Sequence, residues 1–356
     1  MNPLLGVILH AIGGLAAASF YIPYKKIRHW AWETYWLTQG FFSWLVMPIV
    51  MAWITTPNLG RVLAHSPVKN MLFSYIFGAL WGVGGLTFGL SMRYLGISLG
   101  MSLALGFCAA FGTLIPPVYA TMVYGDPLTL FTTIPGLTVF AGVMICFGGI
   151  SVCCYAGVLK ERELSDEQKK AAIKEFALFK GFAVAVFSGI MSACFAYALA
   201  AGKPIAEIAF ENGAKEIFKN NPVFIFAMGG GFTTNCLWCL LLNFKNKSFS
   251  NYFKTDRSII YLISNYFLAL LGGLTWYLQF FFYGMGTTQL GKKYDFASWS
   301  IHMAFIIIFS NMWGLFFREW KGSGRRTFYV LFTGIGILIL STIIIGWGNY
   351  LAALRP

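Results

Sequence analysis

The sequence predicts an all-α polytopic membrane protein whose ten transmembrane helices form two inverted five-helix repeats. Three observations support this fold class: an extreme apolar composition, ten long apolar stretches, and a Gly and Trp pattern that occurs twice. Of the 356 residues, 58% are hydrophobic and only 11% are charged. An average soluble domain is about a quarter charged and could not bury so much apolar surface. The composition excludes a disordered chain, a disulfide-rich secreted domain and an ordinary cytosolic enzyme.

The ten apolar stretches are long enough to cross a bilayer as helices. A span needs about 20 apolar residues, because backbone polar groups must be paired inside the bilayer. The stretches are too long for transmembrane strands and do not alternate with a period of two. The first stretch lacks a basic segment before it, so we expect a membrane span there and no cleavable signal peptide. The predicted spans are 3–23, 33–54, 71–92, 97–124, 132–157, 180–201, 222–243, 258–286, 294–317 and 327–352.

The basic residues predict the orientation of these spans. The net charge of +13 is spread over the connections between spans, which favours contact with a lipid bilayer and argues against a nucleic-acid partner. Connections after the odd-numbered spans hold 18 of the 26 Lys and Arg residues. The positive-inside rule places those connections in the cytoplasm and both termini in the periplasm. The longest connection, the charged linker 159–179, separates a first repeat (1–158) from a second (180–356).

An internal duplication is visible in the pattern G-x2-W-x7-G-x6-G, which recurs at a constant separation of 195 residues. Because five is an odd number of spans, the second copy must be inverted, as in secondary transporters with a substrate site near the midplane. The small-xxx-small pairs Gly78/Gly82 and Gly85/Gly89 predict close helix packing. The two copies of the pattern are Gly78, Trp81, Gly89 and Gly96, and Gly273, Trp276, Gly284 and Gly291.

Glu33, at the start of the second span, is the only acid among the first 125 residues. It is either an interfacial carboxylate, paired with a basic residue of the preceding hairpin (Lys25, Lys26 or Arg28), or the group that carries a proton. A proton-driven carrier needs a group that titrates, and Arg cannot do so usefully. Glu33 is therefore the first candidate for proton coupling.

Gln279 shares one helical face with Trp276 and Tyr283, at the spacing i, i+3, i+7. Aromatic rings stack on the C–H faces of a sugar while an amide bonds its hydroxyls, so this face predicts a sugar site. A purely structural alternative is an interhelical hydrogen bond from Gln279. Trp81, the repeat equivalent of Trp276, and Tyr21 complete the predicted sugar-binding set.

Asp295, Trp299 and His302 lie on one face of the ninth span, whereas their counterparts in the first repeat are apolar. A chiral substrate in a pseudo-symmetric cavity would produce such a difference. We expect Trp299 and His302 to contact the sugar, and Asp295 and His302 to take part in proton coupling. The structural alternatives are a core histidine and an Asp295 at the membrane edge beside two lysines.

Two motifs point to other kinds of protein and are not favoured. The CxxC of Cys236 and Cys239 lies in an apolar stretch, so its cysteines are expected to be buried hydrophobes and no metal is predicted. The G-x-S-x-G string at 96–100 precedes Asp295 and His302 in hydrolase order, but a hydrolase elbow follows a strand. An intramembrane hydrolase remains the less favoured alternative. No Walker A motif is present, so ATP-driven transport is not expected.

Long strings of residues resemble the L-rhamnose–proton symporter family of the drug/metabolite transporter superfamily, in order from the first span to Trp320. The resemblance implies ten spans, a bacterial inner-membrane location and proton-driven uptake of L-rhamnose without any enzyme activity or cofactor other than the proton. An exporter of drugs or metabolites with the same fold is the alternative. The strings are FYIPYKK (20–26), WAWET (30–34), GALWG (78–82), MRYLG (92–96), LKER (159–162), GGL (272–274), WYLQFFFY (276–283), YD (294–295), SW (298–299) and HM (302–303).

The resemblance departs in the third span. A family member has the Asn-rich string Gly-Asn-Ile-Asn-Tyr-Gly where this chain has GGLTFG at 84–89. If those amides contact the sugar, the specificity of this chain shifts towards another 6-deoxyhexose.

Overall fold

The computed structural model describes residues 2–95, 97–124, 130–163, 178–254, 259–290 and 295–354, and this part of the chain folds almost entirely into helices. Three of the predicted features lie outside these residues: Gly96 and Gly291 of the repeat, residues 164–177 of the linker, and the two lysines before Asp295. The helices are α1 (Pro3–Ser19), α2 (Tyr21–Tyr24), α3 (Trp32–Gly40), α4 (Met47–Thr55), α5 (Leu59–His65), α6 (Val68–Leu95), α7 (Ile97–Tyr124), α8 (Ile134–Glu163), α9 (Leu178–Ala201), α10 (Lys203–Glu211), α11 (Asn221–Asn246), α12 (Ile259–Gln289), α13 (Ala297–Phe316) and α14 (Arg325–Leu354).

Nine helical segments of the described chain are long and apolar enough to cross a membrane. The first joins α1 to α2 and covers Pro3–Tyr24, and the second joins α3 to α4 and covers Trp32–Thr55. Helix α7 coincides with the predicted fourth span, 97–124, and its apolar part, Leu103–Val118, is shorter than those of the nine segments. The prediction of an all-helical, multi-pass membrane protein is confirmed.

Helices of the two sequence halves pack against each other in a reciprocal pattern. Helix α6 packs along α9, and α12 packs along α1. Likewise α7 packs along α9, and α13 packs along α1. Helices α8 and α14, the last of each half, pack along each other. If each helix of the first half is replaced by its counterpart in the second half and the reverse, the pair α6–α9 becomes the pair α12–α1, and the pair α7–α9 becomes the pair α13–α1.

Two glycines of the duplicated pattern lie where these helices cross. A Cβ at Gly78 of α6 would overlap the backbone carbonyl of Ala227 in α11. A Cβ at Gly273 of α12 would lie 2.8 Å from the carbonyl oxygen of Gln39 in α3. Only glycine allows the backbones to approach so closely, so the first position of the pattern serves helix packing in both copies.

The connections between spans gather at two ends of the molecule. At the first end, the basic end, Lys25 pairs with Glu319 at 3.4 Å and the Ala31 N–H donates to Asn251 Oδ1 at 3.0 Å. At the opposite end, the Asn2 N–H donates to Gln289 Oε1 at 3.3 Å. We call this the cavity end, because the cavity described in the next section opens there. The connections after the first, seventh and ninth predicted spans thus meet at one end, as the charge count predicts.

The second span contains a wide helical turn. Residues Phe41–Val46 form a π-helix between α3 and α4, and the Met47 N–H donates to the carbonyl of Phe42. Pro48 follows directly, and it has no N–H to give to the preceding turn and crowds the carbonyl four residues earlier. A turn of five residues relieves that crowding.

Candidate functional site

A cavity of about 180 Å³ opens at the cavity end between α7, α9, α10, α12 and α13. Its outer part contains Lys203, Asp295 and Thr288, and its inner part reaches Tyr283 and Trp299. Three predicted site residues therefore line one cavity. Because its walls combine charged groups with aromatic rings, the cavity suits a small polar molecule that also has apolar faces.

The charged side chains that line this cavity form ion pairs with one another. Lys203 Nζ lies 2.6 Å from Asp295 Oδ2. Lys219 Nζ lies 3.0 Å from Glu207 Oε1 and 2.8 Å from Glu216 Oε1. Asp295 thus faces the cavity and has a lysine of α10 as its partner. Each of these charged side chains has an oppositely charged partner within the described chain, so none of them needs a charged ligand as its partner.

A histidine cluster, formed by His10, Tyr283, Trp299 and His302, lies beside the inner part of the cavity. Ring centroids of His302 lie 5.1 Å from Tyr283 and 6.0 Å from His10, and those of Tyr283 and Trp299 lie 5.5 Å apart. Both histidines are almost completely buried, and within the described part of the chain no side chain hydrogen-bonds to a ring nitrogen of either one. Ionisable side chains inside a membrane protein often mark proton or substrate paths, so the two histidines are candidates for a role in proton transfer.

Sequence analysis missed His10. A histidine in the first apolar span was the available signal, but nothing nearby in the sequence marked it. Its position beside His302 and Tyr283 follows only from the packing of α1 against α12 and α13.

A tryptophan cluster, formed by Trp36, Trp44, Trp81 and Trp276, lies deeper in the protein. Trp44 stands between the two repeat-equivalent tryptophans, with ring centroids 5.9 Å from Trp81 and 5.3 Å from Trp276. Trp36 lies 5.1 Å from Trp276. Tyr21 stacks on Trp36 at 6.3 Å and is 46% exposed, so it forms the edge of the cluster. Trp36 and Trp44 were not among the predicted site residues.

Gln279 lies between the two clusters. It is 7% exposed, and its backbone carbonyl faces Gly13 of α1. Trp276 precedes it by about one helical turn and Tyr283 follows it by one. The helical face predicted from the sequence thus runs from the tryptophan cluster to the histidine cluster along α1.

Glu33 is buried at the basic end and is held by neutral donors. Ser248 Oγ donates to Glu33 Oε1 at 2.6 Å, and Asn246 Nδ2 donates to the same oxygen at 3.0 Å. The suggested ion pair with the preceding hairpin is not found among the described contacts, because Lys25 reaches Glu319 instead. The carboxylate can therefore change protonation without breaking an ion pair.

The predicted proton-coupling residues do not form one site. Helix α12 has 31 residues, which at 1.5 Å per residue is about 46 Å. Glu33 lies near the start of this helix, because the adjoining Arg28 N–H donates to Asn265 Oδ1. Asp295 lies beyond its end, and His302 lies between the two acids. The three groups are spaced along the length of the protein.

The hydrolase alternative lacks its structural context. Residues up to Leu95 belong to α6 and residues from Ile97 belong to α7, so helices flank the Gly-Ser-Gly string in the described chain. Residue 96 and the side chain of Ser98 lie outside the described residues. A nucleophile elbow requires a strand before the turn.

Comparison with known proteins identifies the family. The model of the L-rhamnose-proton symport protein family matches residues 2–351. An L-rhamnose-proton symporter of Cronobacter sakazakii is 38% identical over 346 residues, covering 97% of both chains. The symporter of Pectobacterium atrosepticum is 37% identical over 98% of both chains, and that of Yersinia pestis is 36% identical over 97% of this chain and 98% of its own length.

Proposed function

We propose that this chain, which belongs to the L-rhamnose–proton symporter family, imports L-rhamnose together with a proton by alternating access. The observation that carries the proposal is the family match over 350 residues, 2–351. The chain is a transporter and not an enzyme. The substrate is neutral, and the paired charges of the cavity suit a neutral ligand. No observation favours a drug or metabolite exporter.

The experiment is uptake into proteoliposomes that contain the purified chain. An inward proton gradient should drive accumulation of L-rhamnose above its external concentration, and collapse of the gradient should release it. Equilibration without accumulation would contradict symport. L-fucose as a competitor tests whether GGLTFG at 84–89 broadens the specificity to another 6-deoxyhexose.

For the sugar, we propose a route from the cavity to the tryptophan cluster along the inner face of α12. Trp299, Tyr283 and His302 would contact it first, beside the open cavity. Gln279 would then bond its hydroxyls, and Trp276, Trp81 and Tyr21 would stack on its C–H faces. The order of these residues along α12 supports the route.

For the proton, we propose a path that runs parallel to the sugar route. Asp295 meets the proton at the cavity end, and His302 with His10 carries it past the inner cavity. Glu33 releases it at the basic end, with Ser248 and Asn246 stabilising the carboxylate. Charged or titratable groups inside a membrane protein mark such paths.

For the architecture, we propose ten spans in two inverted repeats, with α7 as the fourth span. The reciprocal packing of α6 on α9 and of α12 on α1 supports an internal two-fold relation. The proposed location is the bacterial inner membrane, with the basic end in the cytoplasm and both termini in the periplasm. The positive-inside rule supports this orientation.

A further inference from the structure

The tryptophan cluster contains buried hydrogen-bond donors without acceptors. The indole N–H groups of Trp44 and Trp276 and the amide nitrogen of Gln39 have no partner in the described protein. Trp44 is 2% exposed and Gln39 is completely buried. Buried polar groups in native proteins are nearly always paired, so each unpaired donor needs an explanation. A role in binding a ligand is one such explanation.

The three residues that carry these donors lie close to one another. The rings of Trp44 and Trp276 are perpendicular, with their centroids 5.3 Å apart. The backbone of Gln39 packs against Gly273, which precedes Trp276 by about one turn of α12. Ser43 Oγ donates to Gln39 Oε1 at 3.2 Å, which leaves the amide nitrogen as the free end of that side chain. Two spans thus supply a single group of donors.

The wide helical turn of the second span lies at the same place as these donors, and it is a second, independent sign of a functional site there. The π-helix Phe41–Val46 contains Ser43 and Trp44 and directly follows Gln39 and Gly40. A turn with hydrogen bonds between residues five apart brings positions 39 and 44 towards one face of the helix. Single π turns of this kind occur frequently at functional sites.

Two neighbouring tryptophans differ from Trp44 and Trp276, because their indole N–H groups have acceptors within the protein. Trp36 belongs to the same cluster, and its Nε1 donates to Asn235 Oδ1 at 3.0 Å. Trp299 Nε1 donates to the carbonyl of Cys108 at 3.0 Å. These two indoles are held by the protein, whereas those of Trp44 and Trp276 are not.

We propose that Gln39, Trp44 and Trp276 form a sugar-binding subsite at the π turn, in which their N–H groups donate to hydroxyl or ring oxygens of a pyranose. The proposal rests on the proposed function and assigns Gln39 and Trp44 to it. The rings contact each other in this structure, so the subsite is closed. It opens when the helices of the two halves separate during transport.

The test replaces Trp44 by Phe and compares it with Trp36→Phe as the matched control. Both variants lose the same ring area from the same cluster, but only Trp36→Phe breaks a hydrogen bond inside the protein. Two quantities are measured for the purified full-length chain: the Kd for L-rhamnose and the thermal midpoint without sugar. Incorporation of benzothienylalanine at position 44 gives a third variant, which keeps the ring shape and lacks only the N–H.

We expect Trp44→Phe to weaken sugar binding more than Trp36→Phe does, and Trp36→Phe to lower the thermal midpoint more than Trp44→Phe does. Trp44→Phe and the benzothienyl variant should weaken L-rhamnose binding by about 2- to 12-fold, the effect of one neutral hydrogen bond. Trp36→Phe should lower the thermal midpoint more than Trp44→Phe does, because it leaves Asn235 without its donor. A benzothienyl variant that binds L-rhamnose as tightly as the wild type would overturn the subsite. Failure of the wild type to bind L-rhamnose would instead overturn the proposed function.

Discussion

At the scale of single residues, Glu33 combines burial with neutral hydrogen-bond partners. A buried carboxylate that is locked in an ion pair is costly to protonate, because its partner is then left unpaired. Glu33 has a hydroxyl and an amide as donors instead, and a neutral carboxyl group can retain both hydrogen bonds. Protonation therefore changes its charge without dismantling its surroundings, as a coupling group requires.

Glu33→Gln mimics the protonated acid and should uncouple the carrier. The amide oxygen can accept the hydrogen bonds from Ser248 and Asn246, so the fold should persist. Sugar exchange without a gradient should survive in proteoliposomes, whereas accumulation driven by a proton gradient should be lost. Glu319→Gln is the matched control, because Glu319 is an exposed acid at the same end. Equal accumulation by Glu33→Gln and by the wild type would exclude Glu33 as the coupling site.

His302→Gln and His10→Gln test the proton path at the centre of the protein. Glutamine can form hydrogen bonds but cannot take up a proton at physiological pH. Both variants should lose accumulation under a pH gradient. His10→Gln should keep exchange of L-rhamnose, whereas His302→Gln should also weaken sugar binding, because His302 contacts the sugar on the proposed route. His65→Gln, in the exposed short helix α5, is the control. The path is wrong if both central variants accumulate sugar normally.

Gln279→Ala tests the predicted sugar face. Loss of the amide should leave a sugar hydroxyl without its partner and cost about 1–3 kcal/mol, or roughly 5- to 150-fold in affinity. Equilibrium binding of L-rhamnose to the purified variant measures the effect. An unchanged Kd would place the sugar elsewhere.

At the scale of helices, the repeated glycines differ in what they contact. Gly78 and Gly82 lie against the backbone of α11, as the small-xxx-small pattern predicts. At positions 85 and 89 no atom of the described residues lies within 4 Å of an added Cβ, so the prediction of close packing is wrong for that pair. A spacing of four identifies a common helix face, but it does not tell whether protein or lipid covers that face.

Gly78→Ala should therefore destabilise the protein, while Gly85→Ala should not. The new methyl group at position 78 collides with the Ala227 carbonyl, and overpacking of this kind costs about 1–3 kcal/mol. At position 85 the methyl group meets open space, and alanine favours a helix over glycine. Thermal midpoints in the same detergent measure both variants. Equal midpoints would show that α6 and α11 can separate without loss of stability.

At the scale of the whole molecule, hydropathy alone located the helices well. The predicted ends 180–201 and 222–243 lie within three residues of the ends of α9 and α11. This succeeds because a span must be long and apolar to satisfy its backbone inside a bilayer. The π turn, His10 and the partners of Glu33 could not be predicted. Each depends on contacts between residues far apart in the sequence, for which hydropathy carries no information.

The orientation of the whole molecule can be tested by labelling single cysteines. Glu211 is exposed at the end of α10, on the cavity side, and Lys254 is exposed at the basic end. The native cysteines among the described residues are buried or half-buried, and they would be replaced before either single cysteine is added. The positive-inside rule places the basic end in the cytoplasm, because 18 of the 26 Lys and Arg residues lie in the connections that follow odd-numbered predicted spans.

A membrane-impermeant maleimide should accordingly label Glu211→Cys in intact cells and Lys254→Cys only after permeabilisation. A tag near Gln168, in the charged linker, should behave like Lys254→Cys, since the linker also follows an odd-numbered predicted span. Gln168 itself lies outside the described residues. Labelling of Lys254→Cys from outside intact cells would invert the orientation. The cavity would then face the cytoplasm in this conformation, and the proposed direction of entry for sugar and proton would be reversed.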